Sequence, residues 1–266
     1  MKKAEIYKQY GIEYKGGKIL SPMGWINPLL VNGNSKLGRG VWTFSTLAGN
    51  MMYTIKTKTE VFEVKGTCPC NCKGCYAQTG FYRMSSVLES LGVKTAIARC
   101  FTRFMRDAIV AQIKAEGISL CRIHASGDFF TDNLTNNMQY INAWKDIAKA
   151  CESCVFWSYT KNPIAEDAFK GIPNINIVRS VVHGFGFNFG RCAYILRVYK
   201  ALQDMGKDVY ICRCGIDKNQ HCTNCKGCSK NEYVLFIEHS TDYKAEQDPL
   251  FPVLRDLIES QDKRRA

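Results

Sequence analysis

A chain of 266 residues with 46% hydrophobic content can bury a full core, as one domain of the barrel size class or as two smaller ones. The 36 Lys and Arg outnumber the 24 Asp and Glu to leave a formal charge of +12, which suits an anionic partner such as nucleic acid or, more plainly, a solvated lysine-rich surface. No run of about 18 consecutive apolar residues occurs, so the composition excludes a membrane-spanning helix and no membrane partner is expected.

The N-terminal stretch MKKAEIYKQYGIEYKGGKIL begins with a basic pair but breaks into charges and Tyr without an apolar export region, which predicts a cytoplasmic location. Residues 1–60 read as an extension with short strands, since VNGNSKLGRG supplies turns and VWTFSTLAGNMMYTIKT is rich in β-branched and aromatic residues. VFEVKG (61–66) is a first strand. A helix is expected over 95–116, where Ile97, Phe101, Phe104, Met105, Ala108, Ile109 and Ile113 recur at helical spacing, with Arg99, Arg103 and Arg106 on a solvated basic face. Strands follow at 120–125, 154–160, 175–182 and 208–215. They alternate with helices at 136–151, at AEDAF after the Asn162–Pro163 turn, and at 192–206.

This alternation predicts an α/β fold: a partial or complete (β/α) barrel of mostly parallel strands over 61–211, preceded by the β-rich extension. A Cys-rich metal or cluster loop (212–232) comes next, and a C-terminal strand and helix (233–266) pack on the core. In such folds chemistry gathers at the carboxyl ends of strands, and the polar motifs of this chain follow strands.

In a reducing cytosol the 14 cysteines are expected as ligands or small buried hydrophobes rather than disulfides. Within TCPCNCKGCYAQTG (67–80), Cys68, Cys72 and Cys75 form C-x3-C-x2-C, whose short spacers can turn three thiolates onto a four-iron cluster and leave one iron open. Zinc with Cys70 as a fourth ligand is the alternative. A second set, Cys214, Cys222, Cys225 and Cys228, with Cys212 and His221 as spare donors, fits a cluster or zinc. One or two 4Fe-4S clusters are therefore expected. Cys100, Cys121, Cys151, Cys154 and Cys192 lie in or beside apolar segments and read as core.

HASGDFFTDN (124–133) is the other polar concentration. Ser126 and Gly127 allow close backbone approach, Asp128 can accept from an ammonium or a ribose, and His124 precedes them; these four are the candidate cofactor-binding residues. A turn capped by Asp128, with His124 in the core, is the plainer reading. Tyr159, Thr160, Lys161, Arg179 and Ser180 are weaker candidates. HGFGFNFGRC (183–192) reads as an aromatic loop over the site.

Two resemblances meet at these residues. The order KLGRGVWTFS, TCP followed by CYA, RIHASGDF, FWSYTKN and a terminal C-x2-C-x2-C resembles the phage protein family gene product eighty-eight over roughly residues 35–230. That resemblance implies a phage-encoded protein acting in a bacterial host cytoplasm. CPCNCKGCYA is similar to the cluster loop of radical S-adenosylmethionine enzymes, particularly the activases of anaerobic ribonucleotide reductase. This second resemblance implies that Cys68, Cys72 and Cys75 bind a 4Fe-4S cluster whose open iron chelates S-adenosyl-L-methionine, with Ser126–Asp128 near its methionine amino group. The expected function is thus an iron-sulfur protein, with radical S-adenosylmethionine chemistry if it is an enzyme. A non-catalytic Fe-S or zinc protein binding nucleic acid or a host protein, and an electron carrier, are the alternatives.

Overall fold

The computed structural model describes residues 2–33, 37–57, 60–68, 75–130, 134–180, 189–190, 192–213, 217, 220–225, 227–231, 233–237 and 244–263. In chain order the elements are α1 (Lys3–Gln9), β1 (Tyr14–Lys15), β2 (Lys18–Ser21), β3 (Gly24–Ile26), β4 (Val31–Asn32), β5 (Val41–Phe44), β6 (Met52–Lys56), β7 (Val61–Lys65), α2 (Ser85–Cys100), α3 (Thr102–Glu116), β8 (Leu120–Ile123) and α4 (Leu134–Ala150). They continue with β9 (Val155–Thr160), α5 (Pro163–Ala168), β10 (Ile175–Arg179), β11 (Phe189–Gly190), α6 (Cys192–Asp204), β12 (Val209–Ile211), α7 (Cys222–Cys225), β13 (Tyr233–Ile237) and α8 (Phe251–Lys263).

The main sheet has the order β10-β9-β8-β5-β4. Its inner pairings are parallel, with Val41 opposite Leu120 and Phe44 opposite Ile123, and β4 closes one edge antiparallel. Strand alternation divides its side chains between two faces. Phe44, Cys121, Ile123, Phe156 and Ile175 join the larger core with Met105, Ile109, Tyr140 and Trp144 of α3 and α4. Val41, Leu120, Trp157 and Val178 point the other way and pack with Tyr210, Cys212, Cys228 and Val234. Beyond that second layer, β11, β13 and β12 form a small parallel sheet that shares a core with α6 and α8.

The (β/α) barrel expectation is corrected here: the fold is mixed α/β with several small sheets, and among the described residues no sheet closes on itself. The strand expected to open the barrel, β7, pairs antiparallel with β6 in a hairpin. The reason lies in its composition. A central parallel strand is buried on both faces, whereas β7 exposes Val61, Glu63 and Lys65. Its place beside β8 is taken by β5, and β12, the expected fifth strand, pairs with β13 in another sheet. The expected helix over 95–116 is two helices. They meet at Phe101, whose φ of −135° and ψ of 47° lie outside the helical range while the apolar spacing continues through it.

Local signals account for other boundaries. α3 ends on Gly117 with φ +63°, the left-handed conformation that suits a glycine. Asn162 caps α5 by accepting from the Ile164 amide at 3.0 Å, ahead of Pro163 at the first helical position. Its Nδ2 donates to the Phe130 carbonyl at 2.9 Å and to Asn137 at 3.3 Å, which joins the loop after β8 to α4. Asn162→Ala removes the cap and both bonds, and is expected to cost about 2 kcal/mol in urea denaturation. Among the described residues no helix is long and apolar enough to cross a membrane.

Candidate functional site

The carboxyl ends of β5, β8 and β9 are tied together by short polar side chains. Ser126 Oγ donates to the Thr46 carbonyl at 3.0 Å, and the Thr46 amide donates to the Ser126 carbonyl at 3.0 Å. Thr67, in the loop after β7, reaches this end of the sheet as well: its Oγ1 lies 2.9 Å from Thr46 Oγ1 and accepts from the Asp128 amide at 2.8 Å. The first cysteine loop therefore starts at the main sheet even though its preceding strand lies elsewhere. Gly127, with φ +86°, is the point of closest approach. A Cβ there would overlap Thr46 Oγ1 and stand 2.8 Å from Thr67 Oγ1.

Asp128 is only 3% exposed and both its carboxylate oxygens accept hydrogen bonds. It accepts from the Phe129 amide at 2.7 Å, Thr160 Oγ1 at 2.5 Å and the Lys161 amide at 2.9 Å. Burial pushes its acid up to about 6, with those three hydrogen bonds and the Lys161 charge pulling the other way. Cys68 shares the neighbourhood. Burial pushes its thiol up to about 12, a bond from Gly49 opposes this, Asp128 and Cys75 add to it, and Lys161 reduces it. Cys68 thus has Asp128 and Cys75 as electrostatic neighbours. Cys70 and Cys72 lie outside the described residues.

His124 faces the helix layer. It holds φ +63°, its Nε2 is 2.7 Å from Tyr140 Oη, and its ring edge meets Phe129 and Phe44. Ser158 Oγ donates to the Ile123 carbonyl at 2.9 Å and lies 3.5 Å from His124 Nδ1. With its proton so committed, Ser158 can only accept, which assigns the ring proton to Nδ1 and leaves Nε2 to accept from the tyrosine. Burial, aided by the Arg122 charge, pushes the imidazole down to about 3.

The second cysteine set lies on the opposite face of the sheet. Cys212, Cys222, Cys225 and Cys228 line one pocket with Leu120, Trp157, Gly227 and Ser229. Cys212, a spare donor by spacing, is in the pocket, whereas Cys214 lies outside the described residues. α7 carries Cys222 and Cys225, and the turn at Gly227–Ser229 carries Cys228. This stretch is anchored by Asn176, which donates to the Cys228 and Asn231 carbonyls at 2.8 and 2.9 Å. Thr223 Oγ1 is anchored in turn on the Leu37 and Arg39 carbonyls at 3.3 and 3.0 Å. Gly38, with φ +80°, admits His221, whose Cβ would stand 2.8 Å from an added Cβ; His221 Nδ1 is buried without a hydrogen-bond partner among the described residues.

Among the described residues no three His, Cys, Asp or Glu side chains converge to hold a single metal ion. The described members of the two cysteine sets have separate surroundings: Asp128 and Lys161 for the first, Leu120 and Trp157 for the second. Of the remaining cysteines, Cys121, Cys151, Cys154 and Cys192 are buried, while Cys100, expected in the core, is exposed. Arg99 lies over the Phe130 ring at 4.5 Å, and Arg106 pairs with Asp107 and Asp146, so neither is simply solvated. Arg179 pairs with Glu166 at 3.5 Å near the surface. Most of 183–192 lies outside the described residues.

Spacing alone did not mark Thr46, Tyr140 or Tyr210. The aromatic before Cys212 in DVYICRCG was the available sign for Tyr210, whose hydroxyl lies 2.8 Å from Cys225 Sγ.

The family model described as gene product 88 matches residues 28–231. No curated protein and no solved structure gives a significant match.

Proposed function

The chain belongs to the gene product 88 family, and we propose that it is an iron-sulfur protein in which Cys212, Cys222, Cys225 and Cys228 ligate a polynuclear cluster. The observation that carries this reading is four thiols, those of Cys212, Cys222, Cys225 and Cys228, lining one pocket. The C-x2-C-x2-C spacing of Cys222, Cys225 and Cys228 is that of the first three ligands in bacterial ferredoxin loops, and Cys212 brings a fourth thiol to the same pocket.

Such a cluster, when bound, supplies one-electron transfer. The chain's own part is to hold the thiols and exclude water. Trp157 and Leu120 form an apolar wall, Asn176 fixes the Cys228 backbone, and Thr223 fastens the cysteine run to the loop at Leu37–Gly40. Cys68, Cys72 and Cys75 are proposed as a second ligand set at the carboxyl ends of the strands. The hydrogen bonds that engage Ser126 and Asp128 within the protein favour electron transfer over S-adenosyl-L-methionine binding at that motif.

Purification without oxygen, followed by iron, acid-labile sulfide and zinc analysis, tests the proposal. Wild-type protein is expected to carry iron and sulfide. Cys225→Ser with Cys228→Ser should lose the share held in the pocket, while Cys68→Ser with Cys75→Ser should retain it. Zinc without sulfide, or iron unchanged in the first double variant, would overturn the assignment.

A further inference from the structure

Resting on that iron-sulfur reading, we infer that Tyr210 and Tyr159 are hydrogen-bond donors to the ligand sulfurs and raise the reduction potential of the centre in the pocket. Tyr210 projects from β12, two residues before Cys212, is 3% exposed, and places its hydroxyl 2.8 Å from Cys225 Sγ. A thiol could be either partner in that bond. A ligating thiolate carries no proton, so with the pocket filled the phenol must donate.

The loop is shaped to admit this ring. Gly227 sits between Cys225 and Cys228, and a Cβ there would overlap Tyr210 Cε1 and stand 2.6 Å from Cζ. Any side chain at 227 would drive the phenol away from the sulfur. A phenylalanine would fill the same apolar space as Tyr210, so packing alone does not call for the hydroxyl.

Tyr159 approaches from β9 on the other side. It packs into the same core layer as Cys212 and Cys228, with Cys228 in hydrogen-bonding reach of its hydroxyl. The ring is fixed on two sides, edge-to-face on Phe236 with centroids 5.3 Å apart and under the Arg122 guanidinium at 5.0 Å. Arg122 thereby adds positive charge to the same side of the pocket.

Donors to sulfur stabilise the more negative, reduced state of a cluster more than the oxidised state, and outer partners of this kind tune metal centres generally. Removing a donor therefore lowers the potential. Tyr210→Phe, Tyr159→Phe and the double variant are to be purified without oxygen and titrated electrochemically, with iron and sulfide counted in each. Tyr199→Phe is the control, since that hydroxyl is bonded to Gln203 at 2.8 Å on α6.

The expected result is wild-type iron content with a midpoint shifted to lower potential in each single variant, further in the double, and unmoved in the control. Unchanged midpoints in both single variants at full iron content would overturn the inference and leave the cluster standing. Wild-type protein without iron and sulfide would instead overturn the cluster itself. Tyr159→Phe, on a different strand, carries the test if Tyr210→Phe fails to fold by circular dichroism.

Discussion

Titrated from neutrality toward pH 3, the protein is expected to lose about 5 kcal/mol of stability through His124 alone. The imidazole is held neutral, burial and the Arg122 charge together pushing it from 6.5 down to about 3. In the unfolded chain it binds a proton as the pH drops through about 6.5, and in the folded protein only near 3, so between those values the unfolded state holds more protons. Stability therefore rises with pH across this window and is lost as pH falls through it. Protonation at Nε2 would also set a second donor against Tyr140 Oη inside the core.

Urea denaturation at pH 7, 5 and 4 measures this, comparing wild type with His124→Asn. Asparagine is the chosen replacement because it tolerates the positive φ of +63° at this position. Other groups titrate over the same range, so the informative quantity is the difference in slope between the two proteins. Equal slopes would show that His124 is not the acid-sensitive group.

Gly127→Ala is expected to destabilise the protein by about 3 kcal/mol, the sum of a left-handed backbone penalty and an overpacked contact. The added methyl meets Thr46 Oγ1 and Thr67 Oγ1, the two hydroxyls that join the ends of β5 and β8 to the start of the first cysteine loop. Combining it with Thr46→Ala removes the nearer clash. Thermal and urea unfolding of the double variant should recover part of the loss and leave the backbone share. If Gly127→Ala unfolds like wild type, Gly127 is not the tight point between these loops.

The strands that sequence reading located well are those with little exposed surface. LCRI, VFWSYT and INIVR contain little charge and appear as neighbours β8, β9 and β10 in parallel register. VFEVK misled because its β propensity is real but its alternation belongs to a half-exposed hairpin, and sheet membership depends on partners distant in sequence. The centre of the sheet went to VWTF, four residues too short to announce that role. The membership of the pocket was legible in the C-x2-C-x2-C run. That Cys212 also reaches the pocket was not, since its position at the end of β12 depends on the pairing of β12 with β13. Ser126 and Asp128 carry the chemistry of a ligand site in one dimension, and only the fold shows threonine and backbone groups already occupying them.

The bonds from Thr223 to Leu37 and Arg39 join residues 186 and 184 positions apart. During synthesis the loop at Leu37–Gly40 emerges long before the cysteine run that covers it. At about 5–20 residues per second, roughly 10–40 seconds separate the two. Over that interval β5 can already pair with β8, but the face carrying Leu120 and Trp157 still lacks Cys222, Cys225, Cys228 and Val234. A nascent chain that ends before residue 222 therefore lacks Cys222, Cys225, Cys228 and Val234, and this side of its central sheet is covered only in part.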